Sequence, residues 1–224
     1  MKKLFLSLLI TLATVAGASA EDFFDTSKPN EVFNLGARIG INTSNRTINS
    51  SIVSRWNINS WGTGFDAGVV ADINIRKFIS IQPGFFYESR SGSYAYQNSP
   101  VDDITTYEYQ LGKGREYLFN IPILASFHLY ILDDLRWNID FGPYFQFKLK
   151  STFDGKFEYP SFNYIIYPKT TKCDVGMKMG MGLDICDKYY VGIHYLAGML
   201  HAWNYSDLGG RNKEWMFTIG YNFK

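Results

Sequence analysis

Three histidines, His128, His194 and His201, are the side chains of this 224-residue sequence with the widest chemical reach. An imidazole can ligate a metal, act as a general base or carry a proton. On one extended segment His194 and His201 would stand about 23 Å apart, too far to share an ion held through bonds of ~2 Å. His128 and His194 fall at polar positions of alternating segments and read as structural hydrogen-bond partners. A lipid hydrolase needs a serine, a histidine and a carboxylate converging on one point. Ser206 and Asp207 near His201 are the nearest approach to such a set, and the polarity of a surface loop explains them more simply. Asp102, Asp103 and Glu108 supply the oxygen ligands that calcium prefers, in a stretch that also reads as a solvated acidic loop. Gly176, Gly180 and Gly182 alternate with Met177, Met179 and Met181 as a strand, not as a phosphate-cradling turn before a helix. No catalytic residue, cofactor site or metal site is therefore expected.

A second set of ionisable residues shares a feature of spacing. Arg38, Arg90, Lys148 and Lys178, with Asp66, Asp72, Glu88, Asp140 and Asp184, all occupy even positions inside alternating segments. Opposite charges gathered on one side of a sheet can neutralise one another, whereas a lone buried charge is costly. Their chemistry is that of a packed, charge-paired interior, so their predicted role is structural.

The elements that position them follow a period of two. From Trp137 to Leu149 the odd residues are Trp137, Ile139, Phe141, Pro143, Phe145, Phe147 and Leu149, and the even ones are Asn138, Asp140, Gly142, Tyr144, Gln146 and Lys148. A strand sorts such a run into two faces and a helix does not. The same parity recurs in Phe33–Ile41, Gly64–Ile75, Phe78–Arg90, Arg115–Tyr130, Val175–Ile185, Tyr189–Met199 and Trp215–Phe223. Tight turns at Arg76-Lys77, Asp133-Asp134 and Asp187-Lys188 alternate with long connections over 43–63, 91–114, 150–172 and 201–213. The predicted fold is all-β: an eight-stranded antiparallel up-and-down transmembrane β-barrel, with four long loops on one side and three tight turns on the other. Pro83, Pro122 and Pro143 lie inside strands and lack a ladder donor, so bulges or kinks are expected there.

Alternation alone fits a soluble barrel of lipocalin type equally well, and a mean hydropathy of −0.14 would suit it. Glycine placement separates the two. Gly68, Gly84, Gly142, Gly180, Gly192 and Gly220 lie on the polar face, where they weaken a solvent-facing strand for no gain. Inside a narrow eight-stranded barrel they make room for larger neighbours. The apolar face carries almost no charge between strand ends and is aromatic at those ends (Tyr87, Tyr117, Trp137, Tyr189, Trp215, Tyr221), as hydrocarbon and its interfaces demand.

Lys2 and Lys3, the apolar run Leu4–Ala16 and the small-x-small ending Ala18-Ser19-Ala20 read as a cleavable signal peptide over 1–20. Residues 21–32 then form a short periplasmic leader before a barrel domain over 33–224. Export permits disulfides, yet Cys173 and Cys186 flank one predicted strand and would stand about 43 Å apart, beyond any bridge. A formal net charge of +1 without a basic face excludes nucleic acid as a partner.

The chain resembles the PorT-like outer-membrane β-barrel family of Bacteroidota. The residues that carry the likeness are Tyr117-Leu118-Phe119-Asn120-Ile121-Pro122-Ile123, Gly142-Pro143-Tyr144-Phe145 and the ending Thr218-Ile219-Gly220-Tyr221-Asn222-Phe223, which is similar to an assembly signal with a near-terminal aromatic; Lys224 follows it here. The resemblance spans nearly all of 21–224. It implies residence in the bacterial outer membrane and, for some members, a part in protein secretion; it supplies no catalytic residues.

The function expected is that of a non-enzymatic outer-membrane barrel, monomeric and with both barrel termini periplasmic, acting in envelope structure or surface interaction. Its partners would be outer-membrane lipid and lipopolysaccharide, with a surface or secretion protein. The candidate contact surface is aromatic: Trp56, Trp61, Tyr94, Tyr96, Tyr159, Tyr164 and Trp203 in the long connections. A small solute channel is the second expectation, opposed by inward Phe86, Leu118, Leu124 and Tyr144. An envelope lipid-modifying enzyme is the third, opposed by the missing trio.

Overall fold

The computed structural model describes residues 26–46, 59–97, 109–132, 134–154, 157–159, 164–166, 171–200 and 211–223. They form ten strands: β1 Phe33–Arg46, β2 Asn59–Arg76, β3 Ile79–Gln97, β4 Tyr109–Leu132, β5 Leu135–Asp154, β6 Phe157–Tyr159, β7 Tyr164–Ile166, β8 Cys173–Ile185, β9 Tyr189–Gly198 and β10 Asn212–Phe223. Eight of them close a barrel in the order β1-β10-β9-β8-β5-β4-β3-β2, and every neighbouring pair is antiparallel. β6 and β7 form a separate two-stranded sheet. Closure removes the free edge that an open sheet would expose.

The parity of the sequence becomes inside and outside. Ile39, Ile219, Val191, Leu183, Trp137 and Leu129 follow one another across six strands as successive register partners on the outer face. Outward Ile41 is 66% exposed and Phe141 50%, while inward Tyr144 and Leu118 are 1% exposed. An unbroken apolar belt of this size on the exterior is what lipid contact requires and what a soluble surface avoids.

The strands outrun the alternation that predicts them. β4 has 24 residues, β5 20, β3 19 and β2 18, against 14, 13, 10 and 12 in β1, β8, β9 and β10. Since a tilted strand of ~9–11 residues crosses a bilayer, the β2–β5 wall stands well above it at the end of the long connections. The connections over 43–63, 91–114 and 150–172 are correspondingly shorter than expected. The cause is physical: once a strand leaves the hydrocarbon, ladder bonds continue while neither face needs to be apolar, so the period-two signal ends before the strand does.

Two further expectations are corrected. The irregularities of register lie between Trp61 and Phe65, Asn74 and Arg76, Tyr117 and Leu118, and Tyr130 and Leu132, none of them at a proline. Instead each proline interrupts one ladder without shifting it. β2–β3 pairing lapses between Val70↔Gly84 and Ile73↔Ile81, across Pro83. β3–β4 pairing lapses between Pro83↔Ile123 and Phe86↔Asn120, across Pro122. β4–β5 pairing lapses between Pro122↔Tyr144 and Ala125↔Phe141, across Pro143. A missing N–H removes a bond on one side of the strand, and the intact ladders around it hold the register. Each of these irregularities inserts one residue and shifts the parity of pairing; in β5, Leu118 pairs with Lys148 and Tyr117 with Lys150, so Leu149 is an extra residue. Beyond that bulge Ser151 turns inward to Glu116, at 3.4 Å.

Candidate functional site

The lumen collects the ionisable side chains in tiers along the barrel axis. At the tight-turn end, Arg136 and Asp184 face each other across β5 and β8, and the guanidinium donates to Oδ2 from Nη2 at 2.7 Å and from Nε at 3.1 Å. Asn138 Nδ2 donates to the same oxygen at 2.6 Å and Asn222 Nδ2 to Oδ1 at 2.9 Å. Charge-assisted bonds of this length, with both carboxylate oxygens occupied, hold a buried carboxylate in place. Arg38 sits in the same tier and, among the described residues, bonds only to neutral partners. Its Nη2 donates to Asn222 Oδ1 at 2.6 Å, and its guanidinium lies over the Tyr190 ring, 4.3 Å from the centroid. Gly220 separates the two in the register, and a Cβ there would stand 2.3 Å from Arg38 Cδ. Glycine is what lets the stack form.

In the middle tier, Asp140 accepts from Ser126 Oγ at 2.5 Å and contacts His194 Nε2 at 2.9 Å. Lys178 Nζ lies over the Phe86 ring, 5.1 Å from the centroid. Asp66, directly opposite Glu88 in the β2–β3 register, is 1% exposed and neither of its carboxylate oxygens has a hydrogen-bond partner among the described residues. A void of about 10 Å³, lined by Phe86, Leu124, Lys178, Tyr190 and His194 among others, is about the size of one water molecule.

Towards the long-connection end, Arg90 donates to Glu116 Oε2 at 3.0 Å and to Gln146 Oε1 at 2.8 Å. Asn120 Nδ2 donates to Glu88 at 2.9 Å. Lys148, at the mouth, pairs with Glu116. Tyr144, Leu196 and Met216 pack into an apolar plug beside this network.

Arg38, Asp66, Asp72, Glu88, Arg90, Asp140, Lys178 and Asp184 are all inward and at most 6% exposed. They are spread over these tiers, which meet at Tyr190: its ring lies under Arg38 and its hydroxyl donates to Asp140 Oδ2 at 3.5 Å. Asp72 accepts from Gln82 Nε2 at 2.8 Å. The ion-pair partners that sequence reasoning missed are Glu116 and Arg136, and it also missed the buried acids Asp174 and Glu214. Arg136, Asp174 and Glu214 each sit one residue before the predicted start of a strand, where extending the strand by its parity would have found them; Glu116 lies at an even position inside predicted Arg115–Tyr130, so parity already turned it inward.

One chain of bonds has the connectivity of a hydrolase. Ser80 Oγ lies 2.9 Å from His128 Nε2, and His128 Nδ1 lies 2.7 Å from Asn138 Oδ1. A nucleophile, a base and a group that orients the base are thus in order. Ser80 is 0% exposed and His128 1%, so no acyl carbon can approach Oγ, and the bonds serve to satisfy buried polar groups. Cys173 and Cys186 are free, with Cys173 at the start of β8 and Cys186 just past its end.

The aromatic contact surface is redistributed. Trp61 belongs to β2, on its outward face and 46% exposed. Tyr94 and Tyr96 belong to β3, where Tyr94 pairs with Asn59 and Gly112 and Tyr96 with Gln110. Tyr159 and Tyr164 are register partners in the β6–β7 sheet. All five were expected in loops; the barrel ladder carries Trp61, Tyr94 and Tyr96 because it continues past the bilayer, and the separate β6–β7 sheet carries Tyr159 and Tyr164. Trp56 and Trp203 lie outside the described residues, as do His201, Ser206, Asp207, Asp102, Asp103 and Glu108.

Residues 24–202 match the family model described as outer membrane protein beta-barrel domain. Among solved structures the chain is similar to Ail, the attachment invasion locus protein of Yersinia pestis, at 14% identity and a TM-score of 0.42, covering 86% of this chain and 100% of that one. It is similar to OprG of Pseudomonas aeruginosa at 7% identity and a TM-score of 0.48, covering 89% and 99%. Neisserial surface protein A aligns at 12% identity and a TM-score of 0.40, covering 86% and 98%. No curated protein matches the chain.

Proposed function

The chain belongs to the outer membrane protein β-barrel domain family, and from that premise we propose that it is a non-enzymatic wall protein whose activity lies at its long-connection end. The observation that carries this is the division of labour in the barrel. The exterior is apolar, the lumen is packed, and the β2–β5 wall rises beyond the bilayer as a platform bearing Trp61, which is 46% exposed, with Tyr94 and Tyr96 placed further along β3. Aromatic residues on an exposed platform supply contact area at low entropic cost, which suits a protein partner. Residues 1–20 act as a cleaved signal and 21–32 as a leader, both barrel termini face the periplasm, and the barrel works as a monomer. The partner is a surface or secretion protein, in keeping with the resemblance to the PorT-like family of Bacteroidota.

Photo-crosslinking from a benzoylphenylalanine at Trp61, compared with one at Phe141, tests this. Protein adducts from position 61 alone support a contact platform. Adducts from neither position overturn it and leave a barrel that only supports the envelope. The channel alternative is opposed by buried Phe86, Leu118, Leu124 and Tyr144, at most 3% exposed, which fill the inward positions an open pore would need. Steady conductance of the purified protein in a planar bilayer would reverse that order.

A further inference from the structure

Arg115 and Glu116 are chain neighbours of opposite charge, and so are Lys213 and Glu214. Each strand sends the two members to opposite sides of the wall. Glu116 and Glu214 point into the lumen, 3% and 1% exposed, while Arg115 and Lys213 are exposed on the outside. Lys150 joins the outer set through the Leu149 bulge, which places it opposite Tyr117 instead of in the lumen. Arg115 pairs with Thr152 and Tyr117 with Lys150, so Arg115 and Lys150 are diagonal neighbours on one outer face, roughly 7–8 Å apart. Among the described side chains, the outward positions at this end of the barrel carry cations and no carboxylate. The tight-turn end is not sorted in this way: Arg76, Lys77 and Lys188 there accompany Asp134 and Asp187.

The height of these cations is set by aromatic residues. Tyr117 stacks on Tyr87 with centroids 6.2 Å apart, and Trp215 lies 4.8 Å from Tyr195. Outward Tyr and Trp mark the headgroup level of a membrane. Arg115 and Lys213 stand two residues beyond Tyr117 and Trp215, about 7 Å further out. Among the described side chains these cations have no acid beside them on their own face, and the leaflet offers them an anionic surface as phosphate.

We propose that Arg115 and Lys150 on the β4–β5 wall, and Lys213 on the opposite wall, form an outward collar whose two sides each bind the phosphates of a lipid A-type glycolipid in the outer leaflet. The placement rests on the outer-membrane reading above, with the long connections facing outward. Arg115 suits bidentate phosphate recognition, and the lysines act as point charges.

The test uses the full chain in nanodiscs of phosphatidylethanolamine, titrated with lipid A, with dephosphorylated lipid A and with phosphatidylglycerol at equal phosphate density. Variants are R115Q/K150Q/K213Q and, at the other end, R76Q/K77Q/K188Q, each first shown to keep the heat-shifted gel mobility of a folded barrel. At about fivefold per cation, the Arg115–Lys150 side of the collar variant is expected to bind lipid A roughly 25-fold more weakly than in the unaltered chain, and the Lys213 side about fivefold more weakly. The opposite-end variant is expected to bind as the unaltered chain does, and dephosphorylated lipid A to bind that chain weakly. Unchanged binding by a folded collar variant overturns the collar and leaves the barrel reading intact. Equal binding of phosphatidylglycerol overturns the choice of glycolipid. Loss confined to the opposite-end variant overturns the orientation on which the collar rests, and failure of the unaltered chain to enter nanodiscs folded overturns the membrane reading itself.

Discussion

Arg136 and Asp184 are register partners on β5 and β8, and the guanidinium meets one carboxylate oxygen through two nitrogens, at 2.7 and 3.1 Å. The pair is anchored beside two tight turns, with Asn138 and Asn222 completing the carboxylate's bonds. Removing one member of a buried pair strands the other. Arg136→Met is therefore expected to cost about 3 kcal/mol, and Arg136→Met with Asp184→Asn to recover at least about 1 kcal/mol of it. Urea unfolding followed by tryptophan fluorescence measures both. A single substitution that costs less than the double one would show that the pair contributes nothing.

Asp66 presents the opposite case. Its carboxylate is buried opposite Glu88 and lacks a hydrogen-bond partner among the described residues, so it is a cost to the fold. Asp66→Asn is expected to raise stability by about 1–2 kcal/mol. A fall of similar size would mean that Lys178 is held in place by the Asp66 charge.

Two inward glycines separate backbone crowding from side-chain crowding. A Cβ on Gly142 would stand 2.1 Å from the carbonyl oxygen of Ile123, whereas one on Gly36 would stand 2.5 Å from Nη1 at the tip of Arg38. The first obstacle is rigid and the second can swing away. Gly142→Ala is expected to cost about 2 kcal/mol more than Gly36→Ala, read as the difference in urea midpoint. Equal costs would show that the Pro143 break in the β4–β5 ladder lets the wall yield.

Ser80, His128 and Asn138 have the order of a hydrolytic trio and the burial of a structural one. A fluorophosphonate probe is expected to leave Ser80 unlabelled in the folded barrel. Labelling lost on Ser80→Ala would establish an accessible nucleophile and reopen the enzyme alternative.

Most of the barrel is legible in the sequence because hydrocarbon outside and side chains inside impose a strict period of two. That is why Trp137–Leu149 and its seven counterparts align with the barrel strands. What the period cannot reveal is structure where the constraint lapses. Trp61, Tyr94 and Tyr96 lie on strands that continue in water, and Lys150 changes face through one inserted residue. The inward direction of Asp140 and Lys178 follows from parity. The pairing of Arg136 with Asp184, or of Lys148 with Glu116, depends on register between neighbouring strands, which alternation within one strand does not encode.

The central claim is a barrel in the outer membrane with its long connections outside, and protease shaving of intact cells tests it most directly. The account predicts cleavage within residues 47–58 or 98–108, with the barrel core protected and still showing heat-shifted mobility. Protection of those sites in intact cells and cleavage only after the envelope is opened, or recovery of the whole protein in the soluble periplasm, would contradict it.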